Sequence, residues 1–318
     1  MFNLNLSELC KKINGLEGKP GLILVQLPEG VKPRGKEIVE FLERELGTTV
    51  VLNAEPCFGA CDLAVKEAEF LNADLIVHFG HSDFGVKSKT RVIYWPVEME
   101  FDLQKVAERI VQECGERRWA RIELGTTVQH TTQAKKLEKL LLDKKIQAKA
   151  VQVLGCNYNQ ASKAKNIDGA FFIGSGVFHA LGMQFNTKVK VLALNPESLS
   201  VKELDSEKDA YYRRRISQIS LSSQAKNFGI LISTKPGQLN IKTALNAKKL
   251  LEEKNKTAIL LSANLLKPEY LTGMPFDAFV NTACPRIATD DSMLYGKPVL
   301  SFKELEIAMG KRKMEEFK

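Results

Sequence analysis

Ala73–Gly80 reads ADLIVHFG, Asp168–Gly174 reads DGAFFIG, and Asp277–Asn281 reads DAFVN. Each sets an aspartate before a short, mostly apolar run and stops at glycine or asparagine. An apolar run this short, without polar alternation, suits a strand buried on both faces of a helix-covered parallel sheet. The same order of elements recurs around each. The first pass has strands at Gly21–Leu27 (GLILVQL), Thr49–Asn53, Ala73–Phe79 and Arg91–Trp95, with amphipathic helices over Gly35–Leu46 and Asp62–Leu71. The second has strands near Arg121–Gly125, Gln147–Leu154, Gly169–Ile173 and Lys188–Leu194, with a helix over Thr132–Asp143. The third has strands near Phe228–Ser233, Thr257–Leu261, Asp277–Asn281 and Pro298–Phe302, with a helix over Thr243–Lys254. Leading helices are expected at Asn3–Ile13, Leu103–Cys114 and Glu207–Ile219. A period of roughly 100 residues is too long for a solenoid unit. The pattern predicts an α/β protein of three homologous small domains, each a parallel sheet flanked by helices, over residues 1–100, 101–204 and 205–318. No long Pro/Gly/Ser linker parts them, so tight packing is expected.

Composition narrows the class. With 44% hydrophobic and 26% charged residues among 318, the chain has the balance of a soluble globular protein. No apolar run approaches the ~20 residues that cross a bilayer. The start, MFNLNLSELCKKING, lacks the layout of a signal peptide. A cytoplasmic protein without a membrane partner is expected. The charge is 46 − 38 = +8. Its basic pairs, such as Lys135-Lys136 and Lys248-Lys249, fall on helical stretches and read as solvated faces. No strand interleaves aromatic with basic residues as an RNA-binding sheet does, so direct nucleic-acid binding is not expected.

The cysteines carry the chemistry. There are six: Cys10, Cys57, Cys61, Cys114, Cys156 and Cys284. In a reducing compartment such a set points to metal or redox work rather than to disulfides. Cys61 follows the second strand of its pass, in EPCFGACD; Cys156 follows the second strand of its own, in GCNYNQ; Cys284 follows the third strand of the last, in NTACPR. Parallel α/β sheets bind ligands at the carboxyl ends of their strands. If the three units face one another, the strand ends converge on one point. Three thiolates suit a [4Fe–4S] cluster with one iron left open for substrate. Cysteine is also a common small core residue, and Cys10 and Cys114, on helical stretches, read that way. Cys57 forms C-x3-C with Cys61 and is either a further ligand or a spare thiol beside the cluster; spacing leaves both open.

The chain resembles the diphthamide synthase family, the 2-(3-amino-3-carboxypropyl)histidine synthases, over nearly its whole length. The carrying stretches are LPEG (Leu27–Gly30), FGACDLA (Phe58–Ala64), GHSD (Gly80–Asp83) and Gly155-Cys156-Asn157. Further on come GSGVFH (Gly174–His179), STKPGQ (Ser233–Gln238) and ACPRIATD (Ala283–Asp290). FGACDLA and ACPRIATD are the specific ones. The resemblance implies three homologous domains around a central [4Fe–4S] cluster held by Cys61, Cys156 and Cys284. It implies that the cluster cleaves S-adenosylmethionine and that the resulting 3-amino-3-carboxypropyl radical attacks a histidine of translation elongation factor 2. It further implies a homodimer and an electron-donor protein.

Two loops suit S-adenosylmethionine beside that cluster. Backbone N–H groups of Ser233, Thr234 and Gly237, with the Gln238 side chain, can hold its carboxylate or ribose. Arg286 can pair with the carboxylate bidentately. Loops of this composition also serve as plain turns. Glu29, His81 and His179 fall on equivalent strand-end loops. Two other readings compete: a [4Fe–4S] dehydratase resembling quinolinate synthase, which needs no protein substrate, and a non-catalytic accessory subunit, which has no need of three cysteines.

Overall fold

In the computed structural model, which describes residues 2–153, 156 and 166–317, the repeat in the sequence becomes a repeat of sheets. The chain begins with β1 (Phe2–Asn3) and α1 (Leu6–Asn14). Then β2 (Leu22–Gln26), α2 (Gly35–Leu46), β3 (Thr49–Asn53), α3 (Val65–Leu71), β4 (Leu75–Phe79) and β5 (Arg91–Trp95) build a parallel sheet in the order β3-β2-β4-β5. A short β6 (Glu98–Met99) returns to pair with β1. The second sheet follows α4 (Leu103–Arg117) and comprises β7 (Arg121–Thr126), α5 (Thr131–Asp143), β8 (Gln147–Gln152), β9 (Gly169–Ile173), α6 (Phe178–Asn186), β10 (Val191–Leu194) and β11 (Val201–Glu203). Its order is β8-β7-β9-β10-β11. The third follows α7 (Asp205–Ser223) with β12 (Asn227–Ser233), α8 (Ile241–Glu253), β13 (Thr257–Ala263), β14 (Ala278–Asn281), α9 (Pro285–Thr289), β15 (Val299–Ser301) and α10 (Phe302–Ala308). Its order is β13-β12-β14-β15.

All three sheets therefore place their strands second-first-third-fourth. The chain reverses its direction of winding between the first and third strands, the switch point where such sheets leave a crevice. The chain forms two compact units, Met1–Ser206 with the first two sheets and Glu207–Lys318 with the third.

The elements form where the side-chain pattern asks for them. In α2 the residues Ile38, Leu42 and Leu46 repeat every fourth position and are buried, and the helix stops at Gly47 in a left-handed conformation. Ser301 and Glu304 close α10 with a reciprocal capping box. Leu24 and Ile76 face one core of the first sheet while Ile23, Val25, Leu75 and Val77 face the other, so both faces are covered.

The second sheet corrects one expectation: it is not wholly parallel. Asn195 accepts hydrogen bonds from the N–H groups of Glu197 and Ser198, which turns the chain back after β10. A tight turn can join only antiparallel neighbours, and β11 pairs antiparallel with β10. The expected strand end at Leu154 lies outside the described residues.

The aspartates that lead ADLIVHFG, DGAFFIG and DAFVN do one job three times. One carboxylate oxygen of Asp74 accepts from the N–H groups of Gly21 and Leu22 at 2.8 and 3.0 Å. Asp168 does so for Ala120 and Arg121, both at 2.8 Å. Asp277 does so for Lys226 and Asn227 at 2.9 and 2.8 Å. Each thus clamps the start of the third strand of its sheet to the start of the first. These bonds to backbone N–H groups hold all three carboxyls below their ordinary pKa.

Candidate functional site

In the first sheet the carboxyl ends of β2, β3 and β4 carry the loops that matter. Cys57 and Cys61 lie between β3 and α3. Gln26, the last residue of β2, is buried. Its Nε2 donates to the Asp62 carbonyl at 2.7 Å, and its Oε1 accepts from the Ala64 N–H at 3.1 Å. A backbone N–H only donates and a carbonyl only accepts, so the amide has a single orientation. The same Oε1 lies 2.7 Å from Nδ1 of His78 on β4, so that nitrogen carries a proton. Burial, with His81 beside it, pushes the His78 pKa down to about 3 and keeps the ring neutral. Its Nε2 therefore holds a lone pair and accepts from His81 Nδ1 at 3.0 Å. Burial pushes His81 down to about 4, against the pull of the Phe79 carbonyl.

Gly80 leaves β4 with φ of 78°, and a Cβ there would stand 2.9 Å from Pro28 Cγ. Only glycine lets the GHSD loop pass this close to the LPEG loop. Glu29 in LPEG pairs with Lys32 at 2.7 Å. The second sheet reaches the same place. Gln129, beyond β7, donates to the Gly80 carbonyl at 3.0 Å, and Gln152, ending β8, donates to Ser82 Oγ at 2.5 Å. Cys156 lies four residues past Gln152 and is exposed; the rest of Gly155–Gln160 lies outside the described residues. His179, on α6, stacks against Phe172 with ring centroids 5.7 Å apart.

In the unit Glu207–Lys318, β12 and β14 are neighbours, so their end loops adjoin. Thr282 ties them: its N–H and its hydroxyl both donate to the Leu231 carbonyl, at 3.1 and 2.8 Å. Cys284 is half-buried at the N-cap of α9, and Asn281 Nδ2 donates to its carbonyl at 2.8 Å. On the β12 side, Ser233 is buried and its hydroxyl accepts from the Lys235 N–H at 3.2 Å. The Thr234 N–H donates to the Ala263 carbonyl at 3.0 Å, and the Gln238 N–H to the Lys235 carbonyl at 3.0 Å. Gly237 and Gln238 are half-buried. Arg286 Nε donates to Asp290 at 2.9 Å on the surface. Of the five residues expected around S-adenosylmethionine, the backbone N–H of Thr234 is thus engaged by β13 and the hydroxyl of Ser233 by the loop itself. Gly237, Gln238 and Arg286 stand at the same sheet end as Cys284.

Burial divides the six cysteines. Cys10, Cys57 and Cys114 are buried, whereas Cys61 and Cys284 are half-buried and Cys156 is exposed. Burial raises the thiol pKa of Cys10 and of Cys156 and pushes that of Cys114 up to about 12, so exposure rather than pKa separates Cys156 from the core residues. The three accessible thiols all sit on strand-end loops, where the donor chemistry fits a cluster. Sequence reasoning missed Gln26 and His78. Their signal was present, since each is a lone polar residue inside an apolar strand, in GLILVQL and ADLIVHFG.

A family model for diphthamide synthesis proteins matches residues 27–318. The 2-(3-amino-3-carboxypropyl)histidine synthase of Pyrococcus horikoshii is 36% identical, over 98% of this chain and 92% of that protein. That of Methanocaldococcus jannaschii is 27% identical over 96% of this chain and 90% of that protein. Among solved structures, Dph2 from Pyrococcus horikoshii with a 4Fe–4S cluster superposes with a TM-score of 0.88 at 33% identity, covering 98% of this chain and 93% of that one.

Proposed function

The chain belongs to the diphthamide synthesis family and is a transferase of the 2-(3-amino-3-carboxypropyl)histidine synthase kind, and on that premise we propose that it transfers the 3-amino-3-carboxypropyl group of S-adenosylmethionine to a histidine of translation elongation factor 2. The observation that carries this is the division of the cysteines: of the four at strand-end loops, solvent reaches Cys61, Cys156 and Cys284, while Cys57 is buried. Cys61, Cys156 and Cys284 would hold the [4Fe–4S] cluster, one from each of three domains, 1–100, 101–204 and 205–318. When bound, a reduced cluster supplies the single electron that cleaves the sulfonium of S-adenosylmethionine to methylthioadenosine and a carbon radical.

The chain's own residues hold and orient. Gln26 fixes the backbone on both sides of Leu63 and so braces the loop of Cys61. Asn281 and Thr282 fix the loop of Cys284. Gly237 and Gln238 offer hydrogen bonds to the amino-acid or ribose end of S-adenosylmethionine. Arg286 would exchange Asp290 for its carboxylate; an arginine fork suits that planar anion. Elongation factor 2, an electron-donor protein and a second copy of the chain complete the assembly in the cytoplasm. No helix among the described residues is long and apolar enough to cross a membrane.

The test is anaerobic. The chain is reconstituted with iron and sulfide, reduced, and given S-adenosylmethionine and elongation factor 2. Methylthioadenosine and an aminocarboxypropyl adduct on one histidine are expected. A cluster that leaves S-adenosylmethionine intact would transfer the reading to a dehydratase or an accessory subunit. Cys61→Ala, Cys156→Ala and Cys284→Ala should each lose the cluster absorbance, and Cys10→Ala and Cys114→Ala should keep it. A full cluster in any of the first three would overturn the ligand assignment.

A further inference from the structure

Cys57, His78 and His81 take no part in the cluster reading, yet they converge. One ligand atom from each lies within 4.8 Å of the other two, and the three residues are buried or half-buried. They come from separate places: Cys57 from the loop after β3, His78 from β4, His81 from the loop after it. We propose that they form a second metal site, which takes one divalent transition-metal ion of the zinc type.

The donor set argues the class of ion. It holds one sulfur and two imidazole nitrogens and no carboxylate oxygen, which suits zinc or cobalt and not magnesium or calcium. The size fits as well. Zn–N bonds of about 2.1 Å and a Zn–S bond of about 2.3 Å put tetrahedral ligand atoms about 3.4–3.7 Å apart, so the three atoms need move by only about an ångström. His78 Nε2 and His81 Nδ1 already stand 3.0 Å apart.

The support around the ligands is already built. A metal-bound histidine gives its other ring N–H to an oxygen, which fixes ring and tautomer. His78 Nδ1–H donates a hydrogen bond to Gln26 Oε1 at 2.7 Å, and the Asp62 carbonyl and the Ala64 N–H hold that amide in place. The lone pair of Nε2 thus points away from Gln26 and towards the site. His81 binds as a neutral ring, shifting its proton between its nitrogens if it ligates through Nδ1. The Cys57 thiol ligates as thiolate and releases one proton to solvent, so the site gains one positive charge. A fourth position remains for water. Because Cys57 and Cys61 share one loop, the ion would pin that loop to β4.

The cluster cysteines also bind zinc, so the decisive chain carries Cys61→Ala, Cys156→Ala and Cys284→Ala together. Stripped of metal, it is titrated with zinc or cobalt chloride; bound zinc is counted by mass spectrometry and cobalt is read by its sulfur-to-metal absorption. One ion per chain is expected in this background, with the charge-transfer band of a single thiolate. Adding Cys57→Ala or His81→Ala should abolish both signals. Gln26→Leu should weaken zinc binding about 10–100-fold, as loss of an outer-shell partner does. Melting in chelator checks that each variant folds. No ion in the triple variant, or an ion that survives both Cys57→Ala and His81→Ala, would overturn the site. Neither result bears on the cluster, whose ligands are absent from the test.

Discussion

At their starts the three sheets are alike; at their carboxyl ends the first and the third differ. Asp74, Asp168 and Asp277 repeat one clamp on two successive backbone N–H groups. Among the described residues, the end loops of Cys61 and Cys284 share no such device. That of Cys61 is braced by Gln26, a side chain reaching across from another strand, with a coupled histidine pair behind it. That of Cys284 is braced by Asn281, the last residue of the strand that leads into it, while Thr282 ties the loop to Leu231 of β12. A clamp on backbone needs only a carboxylate of one length and stays the same in every copy. A loop that presents a thiol must fit different neighbours, and the first and third sheets brace theirs differently.

The largest effect is expected where the third sheet departs furthest from the others. Arg215 on α7 is fully buried, with its guanidinium bidentate to Glu304 through two bonds of 2.7 Å. It also donates to the carbonyls of Val299 and Ala288, the latter four residues past Cys284. Arg215→Ala leaves the Glu304 carboxylate buried without its cation and should cost about 3–5 kcal/mol. Denaturant unfolding of this chain against the parent measures it, and a loss under 1 kcal/mol would mean water replaces the guanidinium.

Gln26→Leu is the matching break at the first sheet. It strips partners from the Asp62 carbonyl, the Ala64 N–H and His78 Nδ1 at once, and about 2–3 kcal/mol should be lost. Asn281→Ala, at the half-buried third loop, should cost less, about 1 kcal/mol. Equal costs would show that cross-strand and same-strand bracing are equivalent.

What the sequence disclosed follows the same division. The starts and the strands were legible: Gly35–Leu46, Thr49–Asn53, Arg91–Trp95 and Gly169–Ile173 were read to the residue, because buried parallel strands and amphipathic helices have strong periods. The three aspartates were visible as a recurring letter, though not as clamps. At the ends, Cys61, Cys156 and Cys284 stood out by type and place. Their bracing did not, since Gln26 with Asp62, or Asn281 with the Cys284 carbonyl, are pairings that only tertiary contact creates. α6, α9 and α10 were missed for being short, and β11 because its pairing depends on the Asn195 turn. Arg215 was invisible for a like reason: α7 is mostly polar, so nothing marked one of its arginines as buried.

The second sheet offers an effect in its middle that depends on pH. Glu123 lies within β7, fully buried, and its two carboxylate oxygens have no hydrogen-bond partner among the described residues. Burial pushes its pKa from 4.5 up to about 7, with Lys149 pulling the other way. Below pH 4.5 it is protonated both folded and unfolded, and its contribution is fully present. As pH rises from 4.5 to 7 the unfolded chain ionises first, so that stability is lost, by about 3 kcal/mol at pH 7. Glu123→Gln should flatten this slope. If melting temperatures of variant and parent run parallel from pH 4.5 to 7, the carboxyl is not held neutral.

The smallest effect tests the likeness itself. Asp74→Ala, Asp168→Ala and Asp277→Ala each remove a surface carboxylate that holds two N–H groups, so each should lower stability slightly and by a similar amount. Local readout separates them. Hydrogen exchange should quicken at Gly21 and Leu22 in the first, at Ala120 and Arg121 in the second, and at Lys226 and Asn227 in the third, with the other two sheets unmoved. The sign with pH is common to all. Each folded pKa is lowered, so the contribution is full above the ordinary value of 3.8 and fades as pH falls through the folded value. Asp277 also receives the Asn227 side chain at 3.2 Å, so its variant should lose marginally more. If instead one variant unfolds its sheet while the other two pass unnoticed, the clamps are equal in geometry alone, and the three starts carry different loads.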